Sequence, residues 1–425
     1  MCIFILAACS FQPGPAPATS PPTAVTAEPT ATTAASPEPN KSPLPQTPVA
    51  PATQTLRLWF PPQLAPTNDD AAGRQLLTQL QAFEDSHPGW QIEVRAKKLT
   101  GQGGLLDSLQ TTLQSAPGIS PDVIVADGPT LTNAAPFLQT LTEHFGEAEL
   151  ADFYPFALQA ARIDNQLLGL PFAADALGLA YSTNVYVTPP LAWVDLNTGA
   201  GPIWLPLNDP TALVTLQQYV ALGGSLTDET GKPAINSTVL AQVLTYYQFL
   251  QVNDLLSIGS LESVNTADTW LAYRESRATS AAAYASTYFA ERDRVAATGY
   301  TLLPTREGNS LTFASQWNYA LVAADPTRQS MALELMRWLT APDNLSAWTL
   351  EAQLLPTRGA ALTQWPDPAL RAIAGEAVTA AQPLPSSTLL GVLGPPITLA
   401  VQSVLSGQAT PEVAAEAAAQ TIAGR

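Results

Sequence analysis

Hydrophobic and polar positions along the chain change character near Thr55. From there on, short apolar runs alternate with stretches of helical spacing. Leu56-Arg57-Leu58-Trp59-Phe60 reads as a strand stopped by Pro61-Pro62. Asn68-Asp69-Asp70 offers a helix N-cap, and Leu76, Leu77, Leu80 and Phe83 follow on one helix face until His87-Pro88-Gly89 stops it. Trp90 to Val94 alternates as a second strand. A second helix carries Leu105, Leu106, Leu109 and Leu113 and closes at Pro117-Gly118. Pro121 to Asp127 is a short apolar run between turn signals, the pattern of a buried parallel strand, and a helix is expected from about Pro129 to Leu141. Strand and helix thus alternate three times, which predicts an α/β layer with a parallel sheet.

Later in the chain the same logic holds. Asn236-Ser237 caps a helix carrying Val239, Leu240, Val243, Leu244 and Tyr247, after a turn over Thr227 to Lys232. Asp325-Pro326 is an N-cap with proline at the first helical position, and Met331, Leu335, Met336 and Leu339 form the face behind it. Thr410-Pro411-Glu412 repeats that cap before an alanine-rich terminal helix.

Upstream of Thr55 the pattern vanishes. Phe11 to Thr53 holds twelve of the 39 prolines and almost no large apolar side chains. Such a segment cannot bury enough surface to offset the entropy of ordering, and a disordered, locally extended tether is expected over 10–54. Ahead of it, Leu6-Ala7-Ala8-Cys9 resembles the lipobox of bacterial lipoproteins, in which the cysteine is acylated and becomes the first residue of the mature protein. Residues 1–9 then read as the tail of a secretory signal. No Lys or Arg precedes Cys9, so a complete signal is expected to start further upstream. Cys2 and Cys9 are the only cysteines, which removes a cysteine nucleophile, a Cys-ligated zinc and an internal disulfide from the body.

Composition narrows the ligand classes. Apolar residues are 46% of the chain, enough for two cores, and no run of about 18 uninterrupted apolar residues suggests a spanning helix. The formal charge is −17 and the 18 basic residues are scattered. A nucleic-acid partner needs a basic patch, and none is visible. Neutral or cationic ligands fit better than polyanions. The two histidines, His87 and His144, are expected at helix ends, and no HExxH, GxSxG or Walker A motif occurs. Thr100 to Gly104 is glycine-rich but lacks the lysine of a phosphate loop.

From Asp152 the chain reads DFYPFALQAARIDNQLLGLPFAADALGLAYSTNVY. This stretch resembles the extracellular solute-binding proteins of family 1, the sugar-type receptors of ABC importers. FEDSHPGWQIEV (Phe83–Val94), GGLLDSLQTTLQSAPGISPDVIVAD (Gly103–Asp127), LVAADPTRQSMALELMRWLTAPDN (Leu321–Asn344) and VLSGQATPEVAAEAAAQTI (Val404–Ile422) are similar to further parts of that family in the same order. The resemblance implies a two-lobed periplasmic-binding-protein-like fold of type II, each lobe a mixed sheet flanked by helices, joined by a hinge. One lobe would comprise 55–172 and 316–355, the other 176–312 and 358–425. The protein would be a monomer that captures a small solute, most readily a carbohydrate, and hands it to ABC permease subunits. It would need no cofactor or metal, carry no enzymatic activity and stay outside the cytoplasm on its lipid anchor.

Candidate ligand residues follow from both sources. Ligands in open α/β sheets sit outside the carboxyl ends of strands, which points to Gln63 after the first strand and to Asp127 after the third. Asp127 serves equally well as an N-cap before Pro129. By resemblance, Leu170 to Ser182 is the first crossing between lobes, and Asp175 faces the cleft there. A lone carboxylate between Ala174 and Ala176 is costly to bury without partners, and a backbone cap is its alternative role. The second crossing, Leu311 to Leu321, brings Trp317 and Asn318, with plain core packing the competing role for Trp317. Ala278 to Tyr288 would be the strand and loop where the second lobe meets the ligand. Many sugar receptors carry a stacking tryptophan there, whereas this chain has Ala285 between Tyr284 and Tyr288. Trp270 and Tyr273 precede that segment and are candidates for the core. Gly128-Pro129-Thr130 lacks the charged and aromatic groups of maltose-type members, which argues against a maltodextrin in particular. Two other functions remain open on sequence: a glycosidase-like enzyme built on a carboxylate pair, and a sensor or scaffold with the same two lobes but no transport role.

Overall fold

The architecture is that of one sheet shared by two lobes. In the computed structural model, residues 53–197 and 201–424 are described, so Cys9 and the proline-rich segment fall outside. Strands β1 (Gln54–Phe60), β2 (Trp90–Ala96) and β3 (Val123–Asp127) open the body, and a small hairpin of β4 (Arg162–Ile163) and β5 (Gln166–Leu167) stands apart. The long β6 (Leu170–Ser182) is followed by β7 (Ile203–Trp204), β8 (Ser280–Tyr284) and β9 (Thr298–Leu302). A second long strand, β10 (Thr312–Leu321), and the short β11 (Leu355–Pro356) and β12 (Ala381–Pro383) complete the set. The main sheet runs β2-β1-β3-β10-β6-β8-β7, with β9 and β11 also paired to β6 and β12 to β10.

The first three strands are parallel as predicted, and β10 enters antiparallel to both β3 and β6, which makes the sheet mixed. β6 and β10 run unbroken from one lobe into the other, so Pro51–Arg425 is one compact unit. The register between these two strands slips at Trp317/Asn318, leaving Phe172 as an extra residue on β6. Its ring stacks on Tyr319 at 4.2 Å. A bulge bends and twists the bulged strand, here beside the passage between lobes.

Each face of the sheet carries two cores. On one face, Leu58, Val125, Tyr319 and Leu321 lie under the helices Ala71–Ser86, Pro326–Thr340 and Pro342–Ala352, through Leu80, Leu335 and Trp348. Further along that face, Leu177, Leu179 and Ala282 lie under Leu216, Leu244, Ile397 and Ala415 of four other helices. The opposite face packs Ile124, Ala126 and Ala320 against Leu105, Leu109 and Leu131. Beyond them, Ala174, Ala176 and Ala283 pack against Tyr288, Tyr300 and Trp365. Trp270 and Tyr273 belong to that last core, 4% and 5% exposed. The helix Ser387–Leu405 is, among the described residues, the one long and apolar enough to cross a membrane by length and composition. Leu393, Ile397 and Val401 bury its inner side in the lobe.

Three sequence expectations are corrected. The helix expected to reach Leu141 ends at Ala134, with one 3-10 turn to Phe137, because Pro136 supplies no N–H to continue it. The loop expected after Tyr284 is the helix Ala285–Glu291. His144 lies in a turn, not at a helix end. The predicted caps form: Asp70, Asn236, Asp325 and Thr410 each accept a backbone N–H of the following helix.

The end of the sheet away from the crossing is held by Asp122, just ahead of β3 and 0% exposed. One carboxylate oxygen accepts the Arg57 N–H at 2.8 Å, and the other lies 3.2 Å from Arg328 Nε. The latter is an ion pair by distance without hydrogen-bond alignment. Burial pushes the Asp122 carboxyl pKa up, against the pull of the Arg57 N–H and of the Arg328 and Arg57 charges.

Candidate functional site

Register decides which side chains share a face. Directly opposed residues on antiparallel strands project to the same side, and every second residue along a strand does so too. Trp317 opposes both Asp127 and Ala173; Ser315 opposes Asp175; Leu177 opposes Tyr284. Asp127, Trp317, Ser315, Asp175 and Tyr284 therefore form a stripe on one face, spanning β3, β10, β6 and β8. Toward either end that face is sealed by a helical core, and between the two cores these five residues are only half-buried. The stripe lies where the helical layers of the two lobes part.

Each carboxylate in this region also holds local backbone. Asp127 caps the helix Gly128–Ala134 by accepting the Thr130 N–H at 2.9 Å. Asp175 reaches across to the helix Ala285–Glu291, accepting the Ser286 N–H at 3.1 Å and the Ser286 hydroxyl at 2.5 Å. The residue keeps some accessible area while its carboxylate is densely surrounded by protein, and burial raises its pKa to about 6 against the pull of the Ser286 bonds. Both carboxylates hold backbone in this way, and both residues keep some accessible area. A carboxylate has about four acceptor positions, so capping leaves others free.

Beside Tyr284 lies a cavity of ≈ 200 Å³ lined in part by Leu177, Asp209, Thr211, Asn265 and Thr266. Burial and the nearby Asp175 and Asp209 charges push the Tyr284 phenol up to about 12, which keeps it a hydrogen-bond donor at neutral pH. Sequence reasoning missed Asp209. It accepts the Thr211 N–H at 2.8 Å, the Thr211 hydroxyl at 2.6 Å and the Leu213 N–H at 3.2 Å, in a turn where Ala212 is left-handed (φ 50°). The available signal was Asn208-Asp209-Pro210, a polar turn inside an otherwise apolar segment. Gly394 permits the close approach of the helix Ser387–Leu405 to this turn, since a Cβ there would sit 2.1 Å from the Pro210 carbonyl oxygen.

Two predicted ligand residues lie elsewhere. Asn318 is 0% exposed on the opposite face of β10, its Nδ2 3.5 Å from the Ala126 carbonyl and its side chain against Gly169. Alternation along the strand turns it away as surely as it turns Trp317 in. Tyr288 is 7% exposed in the opposite-face core, stacked on Tyr300 at 5.3 Å, because helical spacing after Tyr284 rotates it under the sheet. Gln63 is exposed on the 3-10 turn Pro62–Leu64, at the carboxyl end of β1. Trp317 packs one side on the core beneath it. Larger surface depressions lie around Phe153, Leu158 and Arg162 (≈ 630 Å³) and around Tyr154, Leu362 and Arg371 (≈ 620 Å³), and neither contains a predicted site residue. Among the described residues no cluster of His, Cys, Asp or Glu could hold a metal ion.

The profile of bacterial extracellular solute-binding proteins matches residues 78–372. The chain belongs to that family. Solved structures of the same two-lobed fold include a cyclic α-maltosyl-1,6-maltose binding protein from Arthrobacter globiformis. It matches with a TM-score of 0.70 at 15% identity, over 88% of this chain and 99% of that one. The maltose-binding periplasmic protein MalE from Listeria monocytogenes, solved with maltose, gives 0.69 at 16% identity, over 87% and 97%. An extracellular solute-binding protein of family 1 from Alicyclobacillus acidocaldarius gives 0.66 at 18%, over 88% and 98%. At these identities the likeness concerns the fold, and this solute-binding protein is extracytoplasmic by its family.

Proposed function

We propose that this protein captures a small carbohydrate between its lobes and delivers it to an ABC permease, while held at the membrane by a lipid on Cys9. The observation that carries the reading is the half-buried stripe of Asp127, Trp317, Ser315, Asp175 and Tyr284, continued by Asp209 beside it. Carboxylates fixed by backbone N–H groups are rigid acceptors for sugar hydroxyls, and Trp317 and Tyr284 offer apolar faces for a ring. Family membership and the sugar-binding structural neighbours support the carbohydrate class, and the same family supports the permease as partner. The chain would perform no chemistry of its own.

A ligand drives lobe closure only by binding the closed form more tightly, through contacts from both lobes. Asp127 and Trp317 stand on one side of the passage, Tyr284 and Asp209 on the other, with Asp175 on the strand between them. The test is a thermal-shift panel of mono- and disaccharides followed by small-angle scattering with the best binder. At a hundred times its dissociation constant a true ligand stabilises by about 2.7 kcal/mol, and the scattering radius should shrink. A panel that shifts nothing would remove the sugar reading.

The anchor carries its own prediction. Expressed with a complete upstream signal, the protein should partition into detergent, and Cys9→Ser should move it to the aqueous phase. One acyl chain alone binds membranes only marginally, so stable attachment implies several. A serine variant that stays with the membrane would show a different anchor.

A further inference from the structure

The helix Ala285–Glu291 begins without a cap of its own, because Tyr284 at its N-cap position makes no side-chain bond to it. Asp175, 111 residues away in sequence, supplies that bond instead. Register explains how: Leu177 pairs with Tyr284, the last residue of β8, so Asp175, two residues further along β6, emerges where the helix starts. Ser286 donates to both carboxylate oxygens, its N–H to Oδ1 and its hydroxyl to Oδ2, and the adjacent Ala176 N–H adds a weaker contact.

We propose that Ser286 is a positioning residue for solute capture: its two donors clamp the Asp175 carboxylate, fixing the direction and the charge it presents to the interlobe cleft. The proposal rests on the reading that Asp175 faces the solute. A single rotatable carboxylate on an extended strand would otherwise sample several directions, and a two-point clamp leaves one. The remaining lone pairs of both oxygens then point away from Ser286, where solute hydroxyls can donate to them.

The clamp also governs protonation. The titratable groups around Asp175 are Tyr284 on β8, Tyr300 on β9 and Asp209 across the cavity, with Glu376 acting on Tyr300. Tyr300 gives its hydroxyl to the carbonyls of Ala176 and Ala283, and no Lys or Arg is among the causes acting on Asp175. The two hydrogen bonds from Ser286, with a smaller one from the Ala176 N–H, are therefore what opposes desolvation. Without the hydroxyl the carboxyl holds its proton to a higher pH, and a protonated acid has lost an acceptor that a solute hydroxyl needs.

The experiment measures melting temperature from pH 4 to pH 8 for wild type, Ser286→Ala, Ser286→Thr and Asp175→Asn, without sugar. The same series is then titrated calorimetrically with maltose and glucose as probes. The difference between wild type and Asp175→Asn isolates the inflection that belongs to Asp175. That inflection should move up by about one pH unit in Ser286→Ala and return in Ser286→Thr, which restores the hydroxyl. Probe affinity in Ser286→Ala should fall about twofold near pH 7 and further toward pH 6, and should recover by pH 8. An inflection that Ser286→Ala leaves in place overturns the proposal. Asp175→Asn that binds a probe as tightly as wild type overturns the underlying cleft reading instead. The sugar-free inflection distinguishes the two failures, since it needs no ligand.

Discussion

Asp175→Asn is expected to remove half or more of the sugar-induced melting shift while leaving the sugar-free protein at least as stable as wild type at pH 8. The two effects have opposite sign because the same burial serves one and opposes the other. The carboxyl pKa rises from 3.8 to about 6 in the folded protein. A raised value means that this group's contribution to stability is fully present below the unfolded pKa and is lost as pH rises through the folded one. The window is therefore pH 4 to 6, and above it the ionised carboxylate opposes folding. Two pKa units correspond to about 3 kcal/mol, and the accessible area the residue retains reduces that to about 1–2 kcal/mol. Asparagine is neutral and keeps an acceptor for Ser286, so it should recover part of that energy at pH 8 and none of it near pH 4. For the ligand the balance reverses. Each solute hydroxyl that donates to a charged acceptor contributes about 1.5–3 kcal/mol, and losing one or two weakens binding by tenfold to a thousandfold. Melting curves at pH 8 and pH 4.5, with and without the best sugar, separate these terms. A variant that loses several degrees without sugar yet keeps its full sugar shift would make Asp175 a structural cap and nothing more.

How far this site was legible follows from what each residue's signal depends on. Strand and helix positions in the first lobe could be read because apolar spacing and caps such as Asp70 and Asp325 are local properties. Asp175 stood out because a carboxylate between alanines in an apolar run demands partners. Which partner it has could not be read, since Ser286 meets it only through the pairing of β6 with β8. Trp317 and Asn318 are neighbours in sequence and part company in space, one half-buried on the stripe and the other 0% exposed behind it. Alternation along β10 would have separated them had the face been known, and only the pairing with Asp127 and Ala173 sets the face. Tyr288 was placed with Tyr284 on the assumption of a loop. Once that segment is a helix, four residues suffice to carry the ring under the sheet. Asp209 went unnoticed because an Asp-Pro turn is common, and only the fold brings it to a cavity shared with Leu177 of β6 and Tyr284 of β8.

The largest loss of stability is expected at the other end of β3. Arg328→Met removes a charge 3.2 Å from a carboxylate that is 0% exposed, leaving Asp122 with the Arg57 N–H as its one hydrogen-bonded partner. Breaking a buried pair from one side typically costs about 3–5 kcal/mol, because the remaining charge stays desolvated. Arg328 itself is 23% exposed, so water reaches part of the pair and the expected cost is about 2–3 kcal/mol. The pH dependence is diagnostic. The Asp122 carboxyl is already pushed up by burial, and losing the Arg328 charge pushes it further. Its contribution is then lost as pH rises through that higher value, so the variant should be hurt most at pH 8 and least near pH 4, where the acid is neutral. Asp122→Asn combined with Arg328→Met should recover much of the loss at pH 8, since no buried charge remains and the Arg57 N–H keeps an acceptor. Asp122 also binds the chain into β10's exit, accepting the Val322 and Ala323 N–H groups on its carbonyl, so a failed pair loosens β3 and β10 together. β3 carries Asp127 at its far end and β10 carries Trp317 near its middle, which makes sugar affinity the second readout. If the pair only stabilises the fold, the surviving native fraction should bind with wild-type affinity. A weaker intrinsic affinity would mean that strain at Asp122 travels the five residues of β3 to the stripe. Equal melting temperatures for wild type and Arg328→Met at pH 8 would show that the unaligned contact contributes nothing.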